Sequence, residues 1–556
     1  MERVFCGFRV GMVLGLAVFF ASILPADAAV DVQCGELAPV SGGHCAVTPG
    51  TDGTLLLQGD VLAPFLIYRG GSVLIDAVGE ISCVGCGCSA PDATVVRCPE
   101  TVISPGLING YDHITFNQNL PAQDTGERYE QRHDYRAGLR GHTQIITVGS
   151  ASPNQIRWNE LRHLMAGTTS ASSSGGQAGL IRNLDNNANQ GLGLTAHRRQ
   201  TFPLGDNAGL QLSAGCGYPD IDTSTDIAAF SAYLPIIAEG IDAVARNEFL
   251  CASDQGGAGS QNLIQSHTAI GKGLGLKRDD FALMAAQGTG LIWSPRSNLR
   301  LYGDTARIGN AEGVELALGT DWIVSGSMNM LRELRCADDF NRDYLDERLS
   351  QRQLWAMATS NAANLTATGS RIGRLAQGYV ADIAIFDASV RSDYAAILQA
   401  DPEDVVLVMR AGEVLFGEAT TVDAINGGGV CESVTVCGGA RALCLQSEIG
   451  MPLADLQAAQ SPGVYQLFYC AEPDDEPSCV PSRASSVNGS TIYTGIPTTN
   501  DSDGDGIANG VDNCPTVFNP IRPLDNGVQP DANTNGIGDD CEPWATPLLF
   551  KDGFES

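Results

Sequence analysis

Between Gly53 and Val102 apolar residues alternate with polar ones in short runs, TLLLQGDVL, APFLIYRGGSVLID, GEISCVG and ATVVRC. A period of two with turn residues between the runs predicts strands, and their number suits one half of a small β-sandwich. From Ile103 to about Asn364 the pattern changes. Continuous apolar runs of strand length alternate there with helical stretches such as DDFALMAAQG and RLSQRQLWAMATSNAANL. That alternation predicts an α/β fold, a (βα)8 barrel of the TIM type. Strand text returns in YVADIAIFD and DVVLVMRAGEVLFG. A barrel over 103–370, inserted between sandwich halves at 30–102 and 371–424, accounts for both ends with one architecture.

After Ala424 the composition shifts to Gly, Cys and polar residues, which predicts a disulfide-held module over 425–480. Residues 481–500, rich in Ser, Thr, Pro and Asn, read as a linker. An acidic stretch follows at 501–545, and the chain ends in a short tag, 546–556. At the other end Arg3 and Arg9 precede an apolar run that stops at Pro25 and Asp27, with small residues at Ala28 and Ala29. This is the pattern of a signal peptide over 1–29, so the protein is expected to be secreted, periplasmic or on the cell surface. No later stretch is long and apolar enough for a transmembrane anchor in the mature chain.

Charge narrows the partners. A formal net charge of -31 excludes nucleic acid as a natural partner, because like charges repel across the whole surface. A small molecule remains as the expected ligand or substrate. Of the 17 cysteines, Cys6 falls within the signal, which leaves an even number for pairing in an oxidising compartment. The crowded group Cys83, Cys86, Cys88 and Cys98 also has the look of a zinc ribbon, although export favours disulfides.

Candidate chemistry sits at the ends of the barrel strands. The segment VISPGLINGYDHITF resembles the first barrel strand of the amidohydrolase superfamily, in its guanine deaminase and chlorohydrolase-like branch, where HxH closes the strand. Residues i and i+2 of a strand face the same side, so two imidazoles there reach one ion. Here the pair is Tyr111 and His113. SAYLPIIAEGIDAVARNEF resembles the strand that ends HxAEG, with Ile236 at the ligand position and Glu239 at the proton-shuttling glutamate. TAIGKGLGL resembles the strand that ends in HG, with Lys272 in place of histidine. ALGTDWIVSGSMNMLREL keeps Asp321, the metal-binding carboxylate that takes a proton from the attacking water. WSPRSNLRLYGDTA places Arg296, Ser297 and Asn298 after the seventh strand, as substrate-binding candidates.

The resemblance implies a hydrolase of non-peptide C–N bonds with zinc or another divalent metal, held here by His113 and Asp321. In that reading Asp321, Glu239 and Lys272 are the catalytic set. Yet a catalytic zinc takes three or more protein ligands, isoleucine offers none, and an ammonium 4 Å from a dication is repelled by about 8 kcal/mol at an effective dielectric of 20. The site therefore reads as degenerate. A second arrangement follows from the same substitutions: the Lys272 ammonium takes the ion's place, paired with Asp321 and Glu239. The alternative function is a catalytically silent binding or surface protein on the same scaffold. His267 stands roughly 16 Å back along its strand and cannot contribute; His133, His142, His163 and His197 read as surface or structural, although the segment ERYEQRHDYRAGLRGHT is placed to fold over the site.

The string DSDGDGIANGVDNCPTVFNP resembles the thrombospondin type 3 repeat. Oxygen donors at loop positions 1, 3, 5, 7, 9 and 12 with glycine at 6 wrap a calcium ion. The first loop offers Asp501, Asp503, Asp505, Ile507 through its carbonyl, Asn509 and Asp512. The second offers Asp531, Asn533, Asn535, Ile537, Asp539 and Glu542. The resemblance also implies a disulfide between Cys514 and Cys541, and a role as rigid spacer or adhesion element.

Overall fold

The computed structural model describes residues 29–545; the expected signal, apart from Ala29, and the C-terminal tag lie outside the described residues. Eight short strands run parallel in chain order: β1 (Leu107–Asn109), β2 (Thr168–Ala171), β3 (Arg182–Asn183), β4 (Arg198–Gln200), β5 (Tyr233–Ile237), β6 (Ala269–Lys272), β7 (Gly290–Trp293) and β8 (Leu316–Leu318). β1 to β3 form one arc and β4 to β8 another. The arcs join where Asp112 bridges Asp321 and Gly110 N–H donates to the Leu318 carbonyl at 2.9 Å. Between β3 and β4 no ladder forms among the described residues, so the sheet is laced on one side only.

Helices follow the strands as the barrel pattern requires. Ala243–Ala252 comes after β5, Arg278–Gln287 after β6, Pro295–Tyr302 after β7 and Met330–Tyr344 after β8. Asp242 and Asn329 start two of them by accepting the backbone N–H three residues on. Gly288 and Gly303 end two others in the left-handed conformation that glycine adopts without strain. The packing around the strands is apolar, with Leu276, Phe281, Leu291, Trp293, Leu316 and Leu334 all buried.

The flanking strands form one hydrogen-bonded sheet across the barrel insertion. Thr94–Pro105 lies antiparallel to Ile383–Asp387, pairing Ser104 with Ala384, and Val405–Arg410 and Glu413–Glu418 continue the sheet. Leu57, Val73, Val96, Ile385 and Val406 fill its core. The Cys-rich segment adds to this sheet: Gly439–Leu443 pairs with Glu413–Glu418, setting Leu443 opposite Phe416.

Every cysteine among the described residues is in a disulfide. Cys83 bonds Cys88, Cys86 bonds Cys34 and Cys98 bonds Cys45, which removes the zinc-ribbon alternative because no thiolate is left to ligate. Cys514 bonds Cys541, and Cys336 bonds Cys479, fastening the Cys-rich segment to the helix after β8. The remaining pairs are Cys216 with Cys251, Cys431 with Cys444 and Cys437 with Cys470. No helix among the described residues is long and apolar enough to cross a membrane.

The stretch 481–500 differs from the expected linker. Arg483 and Tyr493 exchange backbone hydrogen bonds of 2.9 and 3.0 Å, and both side chains are buried. Polar composition reads as exposed when the partners lie elsewhere in the chain; here the Arg483 guanidinium bonds Glu130 and the Tyr129 and Tyr302 carbonyls.

Candidate functional site

The C-terminal ends of β1, β5 and β8 border one cavity of about 520 Å³, lined by His113, Phe116, Arg132, Tyr135, Phe202, Ile236, Glu239, Asp321 and Trp322 among others, and the end of β6 lies buried beneath Asp321 and Glu239. Strand ends place side chains at this mouth because the strand stops and the loop turns outward. At its floor Lys272 Nζ lies 2.5 Å from Asp321 Oδ2, 3.7 Å from Glu239 Oε1 and 3.3 Å from Ser297 Oγ. Ser297 Oγ in turn donates to Asp321 Oδ2 at 2.6 Å. Glu239 Oε1 accepts from the hydroxyls of Tyr135 and Tyr302, each at 3.1 Å.

These groups hold one another's charge states. Burial alone lowers an ammonium's pKa, but Asp321 and Glu239 outweigh it, so Lys272 is held above its ordinary value and stays a cation. Burial, reinforced by the Glu239 carboxylate, pushes Tyr135 and Tyr302 well up, so both remain neutral donors. His113 is forced down to about 4 by burial and by the nearby Arg199 guanidinium, and is a neutral imidazole. Tyr111 lies edge-on to His113 at 5.3 Å, with the Arg199 guanidinium 3.9 Å above its ring. Burial raises its pKa, so its phenol keeps the proton.

The backbone is strained where these side chains meet. Ala238 (φ 58°), Lys272 (φ 82°) and Asp321 (φ 66°) all occupy the left-handed region, which costs a non-glycine residue about 1 kcal/mol or more. All three lie at or just beyond strand ends, around the Lys272, Glu239 and Asp321 cluster.

The donor set does not fit a barrel metal. Ile236 has no donor, Tyr111 is protonated, and the Lys272 ammonium contacts the Asp321 oxygen that the ion would need. Only His113 and Asp321 remain of the expected ligands, short of the three that a catalytic zinc takes.

The structure corrects the substrate-binding candidates. Arg296 points away from the cavity, with Nε 2.7 Å from Ser327 Oγ, Nη1 3.1 Å from Glu476 and a further bond to the Pro477 carbonyl. Asn298 Nδ2 donates to Thr305 Oγ1 at 3.2 Å. Helical geometry sends i, i+1 and i+2 in different directions, so Ser297 alone reaches the site.

Three of the other histidines have partners of their own, His133 with Asp206 at 2.8 Å, His163 with Asp112 and His197 with Ser172, whereas ligand atoms of His142, Glu130 and Asp134 lie within 4.8 Å of one another, a grouping that could hold a metal ion. The segment after β1 does fold over the site, supplying Arg132, Tyr135, Arg136 and Gln144 to the wall. Sequence reasoning named the segment but not Tyr135, and missed Tyr302, Phe202 and Trp322. Their only signal is aromatic character in loops and in the helix after β7.

In the acidic stretch, carboxylate oxygens of Asp501, Asp503 and Asp505 lie within 4.8 Å of one another. Asp503 Oδ2 and Asp512 Oδ2 are buried with no partner. Gly506, at loop position 6, takes a φ of 87°, the turn the template demands there, and Gly504 takes 73°. These residues fit a hard cation. Asn509 spends its side chain on Ser502. In the second loop Asn533 and Asn535 donate to Glu542, and Asp539 turns to the Ala532 N–H and to Arg278.

Residues 245–415 match the amidohydrolase family, and residues 499–522 match the thrombospondin type 3 repeat. The chain thus carries an amidohydrolase family domain followed by such a repeat. A 5-methylthioadenosine/S-adenosylhomocysteine deaminase of Pyrococcus abyssi is 31% identical over 180 residues, 30% of this chain and 40% of that protein. The enzyme of the same name from Caldicellulosiruptor saccharolyticus is 31% identical over 159 residues, 26% of this chain and 37% of its own length. The chain therefore spans well under half the length of these curated relatives. Among solved structures, a zinc-bound adenosine deaminase from Xanthomonas campestris aligns with a TM-score of 0.47 at 16% identity, covering 73% of this chain and 96% of that one. A zinc-bound atrazine chlorohydrolase from Arthrobacter aurescens aligns with 0.45 at 18%, covering 67% and 100%.

Proposed function

We propose that this is an exported protein of amidohydrolase descent whose barrel cavity receives a small nitrogen-bearing molecule without a transition metal. One observation carries the reading: the Lys272 ammonium, bonded to Asp321 and near Glu239, occupies the floor where the superfamily's ligand positions converge. Above that floor the cavity wall brings Phe116, Phe202 and Trp322 together with Glu239, aromatic surface and an acceptor suited to such a molecule. The acidic repeat binds calcium through Asp501, Asp503, Asp505 and Asp512. The disulfides support an oxidising destination.

A second reading, hydrolysis of a C–N bond, is favoured by the retention of both Glu239 and Asp321 beside the cavity and by the deaminase names of the relatives. In it Asp321 takes a proton from water, Glu239 carries a proton to the leaving nitrogen, and Lys272 polarises the substrate.

Metal analysis of the calcium-saturated protein after dialysis, with calorimetric binding and ammonia release on purine nucleosides and cyclic amidines, tests both. The expected result is binding with no retained transition metal. Stoichiometric zinc, with turnover lost in Asp321→Ala, would overturn the first reading.

A further inference from the structure

We infer that the calcium repeat is a latch on the barrel site, so that calcium bound at 501–512 sets the rigidity of the strand and helix ends that carry Lys272 and Glu239's partner Tyr302. This rests on the calcium reading above.

The repeat lies against the barrel, where a spacer would project from it. Arginines on both sides make the polar part of the junction, beside Phe518 packed on Phe340 and Tyr344. Arg522, fully paired, sends Nη1 to the Leu274 carbonyl at 2.7 Å, Nε and Nη2 to Asp304 at 2.7 and 2.8 Å, and Nη2 also to the Thr305 carbonyl at 2.6 Å. Leu274 is two residues beyond Lys272. Arg483 grips the Tyr302 carbonyl at 2.9 Å, and the hydroxyl of the same Tyr302 donates to Glu239. Arg307 answers from the barrel side, bonding Asp525 at 2.6 Å and Asp540 at 2.8 Å.

The first calcium loop is continuous with both anchors. Gly504 packs on Gly495 and Gly506 on the Ile492 carbonyl, with no room for a Cβ at either. Those residues flank Tyr493, whose backbone pairs with Arg483. On the far side Asp512 accepts from Gln529, which also holds the Asn519 carbonyl, three residues from Arg522. With no cation, four carboxylates crowd this loop, two with oxygens buried and unpartnered. Their repulsion pushes the loop apart and slackens both anchors. A cation reverses that and ties Tyr302 and Leu274 in place. The link is a contiguous chain of hydrogen bonds and backbone packing between two sites, and calcium biases it from one end.

Hydrogen exchange of the full chain, in calcium and in EGTA, tests this, with calcium binding followed separately by calorimetry. At calcium 100 times its dissociation constant, exchange of peptides covering 271–276 and 299–305 is expected to slow by up to about 100-fold, in step with the 499–512 peptide. The double substitution Arg483→Met, Arg522→Met is expected to leave 499–512 protected by calcium while the two barrel peptides exchange at the EGTA rate. Calcium binding that protects 499–512 alone in the unsubstituted chain overturns the latch. Absence of calcium binding in the calorimeter overturns the calcium reading itself and the latch with it.

Discussion

Lys272 Nζ sits 2.5 Å from Asp321 Oδ2, and both residues hold left-handed backbone at the ends of β6 and β8, across the intervening β7. The side chains are buried, with Glu239 as the next carboxylate and Ser297 bridging cation and anion. A buried ion pair of this kind contributes little against an apolar replacement of both partners, but each partner makes the other tolerable.

Lys272→Met therefore leaves two carboxylates buried without their cation. A loss of about 3 to 5 kcal/mol in urea unfolding is expected, with most of it recovered in Lys272→Met, Asp321→Asn. Recovery in the double variant distinguishes stranded charge from lost packing.

Restoring imidazoles reverses the chemistry. Tyr111→His, Ile236→His and Lys272→His together supply three donors beside His113 and Asp321, and the triple variant is expected to retain stoichiometric zinc through dialysis. Histidine also tolerates the left-handed backbone at 272 better than lysine does. The check is elemental analysis of the variant against the parent protein.

Arg296→Ala separates support from recognition. The guanidinium is buried against Glu476, Ser327 and the Pro477 carbonyl. Its removal is expected to lower stability by about 1.5 to 3 kcal/mol while ligand affinity measured by calorimetry stays at the parent value. Phe202→Ala, in the cavity wall, is expected to do the reverse.

Glu160 gives a pH dependence. Burial raises its carboxyl to about 8 from 4.5, against the bonds it accepts from the Gln177 N–H and Asn183. The folded state then binds more protons than the unfolded chain between pH 4.5 and about 8. Its contribution is complete below the lower value and is lost as pH rises to the upper one. Urea midpoints are expected to fall across that window more steeply in the parent than in Glu160→Gln.

The flanking sheet was legible because its alternation is local: TLLLQGDVL announces a strand without reference to anything distant. The positions of Tyr111, Ile236, Lys272 and Asp321 at or near strand ends were readable only through the resemblance, which aligns each with one residue of the family's strands. What stayed hidden is non-local. Nothing near Tyr135 or Tyr302 says that both hydroxyls meet on Glu239. Arg296 looked like a ligand contact because its neighbour Ser297 reaches the site; its own partners lie in the Cys-rich segment. Arg483 sits in text that reads as solvent-exposed, and its partners Glu130, Tyr129 and Tyr302, all distant in the chain, account for its burial.

The pairing of Ser104 with Ala384 also bears on how the protein is made. Synthesis runs from the N-terminus, so the edge of Thr94–Pro105 waits, unpaired, while the whole barrel is still emerging. An open strand edge recruits whatever extended chain is near it, and closing so long a loop is slow. The Cys45–Cys98 bond is available throughout that wait, because both residues precede the insertion. Early oxidation there would hold the first half in shape until its missing neighbour arrives, making the order of thiol chemistry part of the folding pathway.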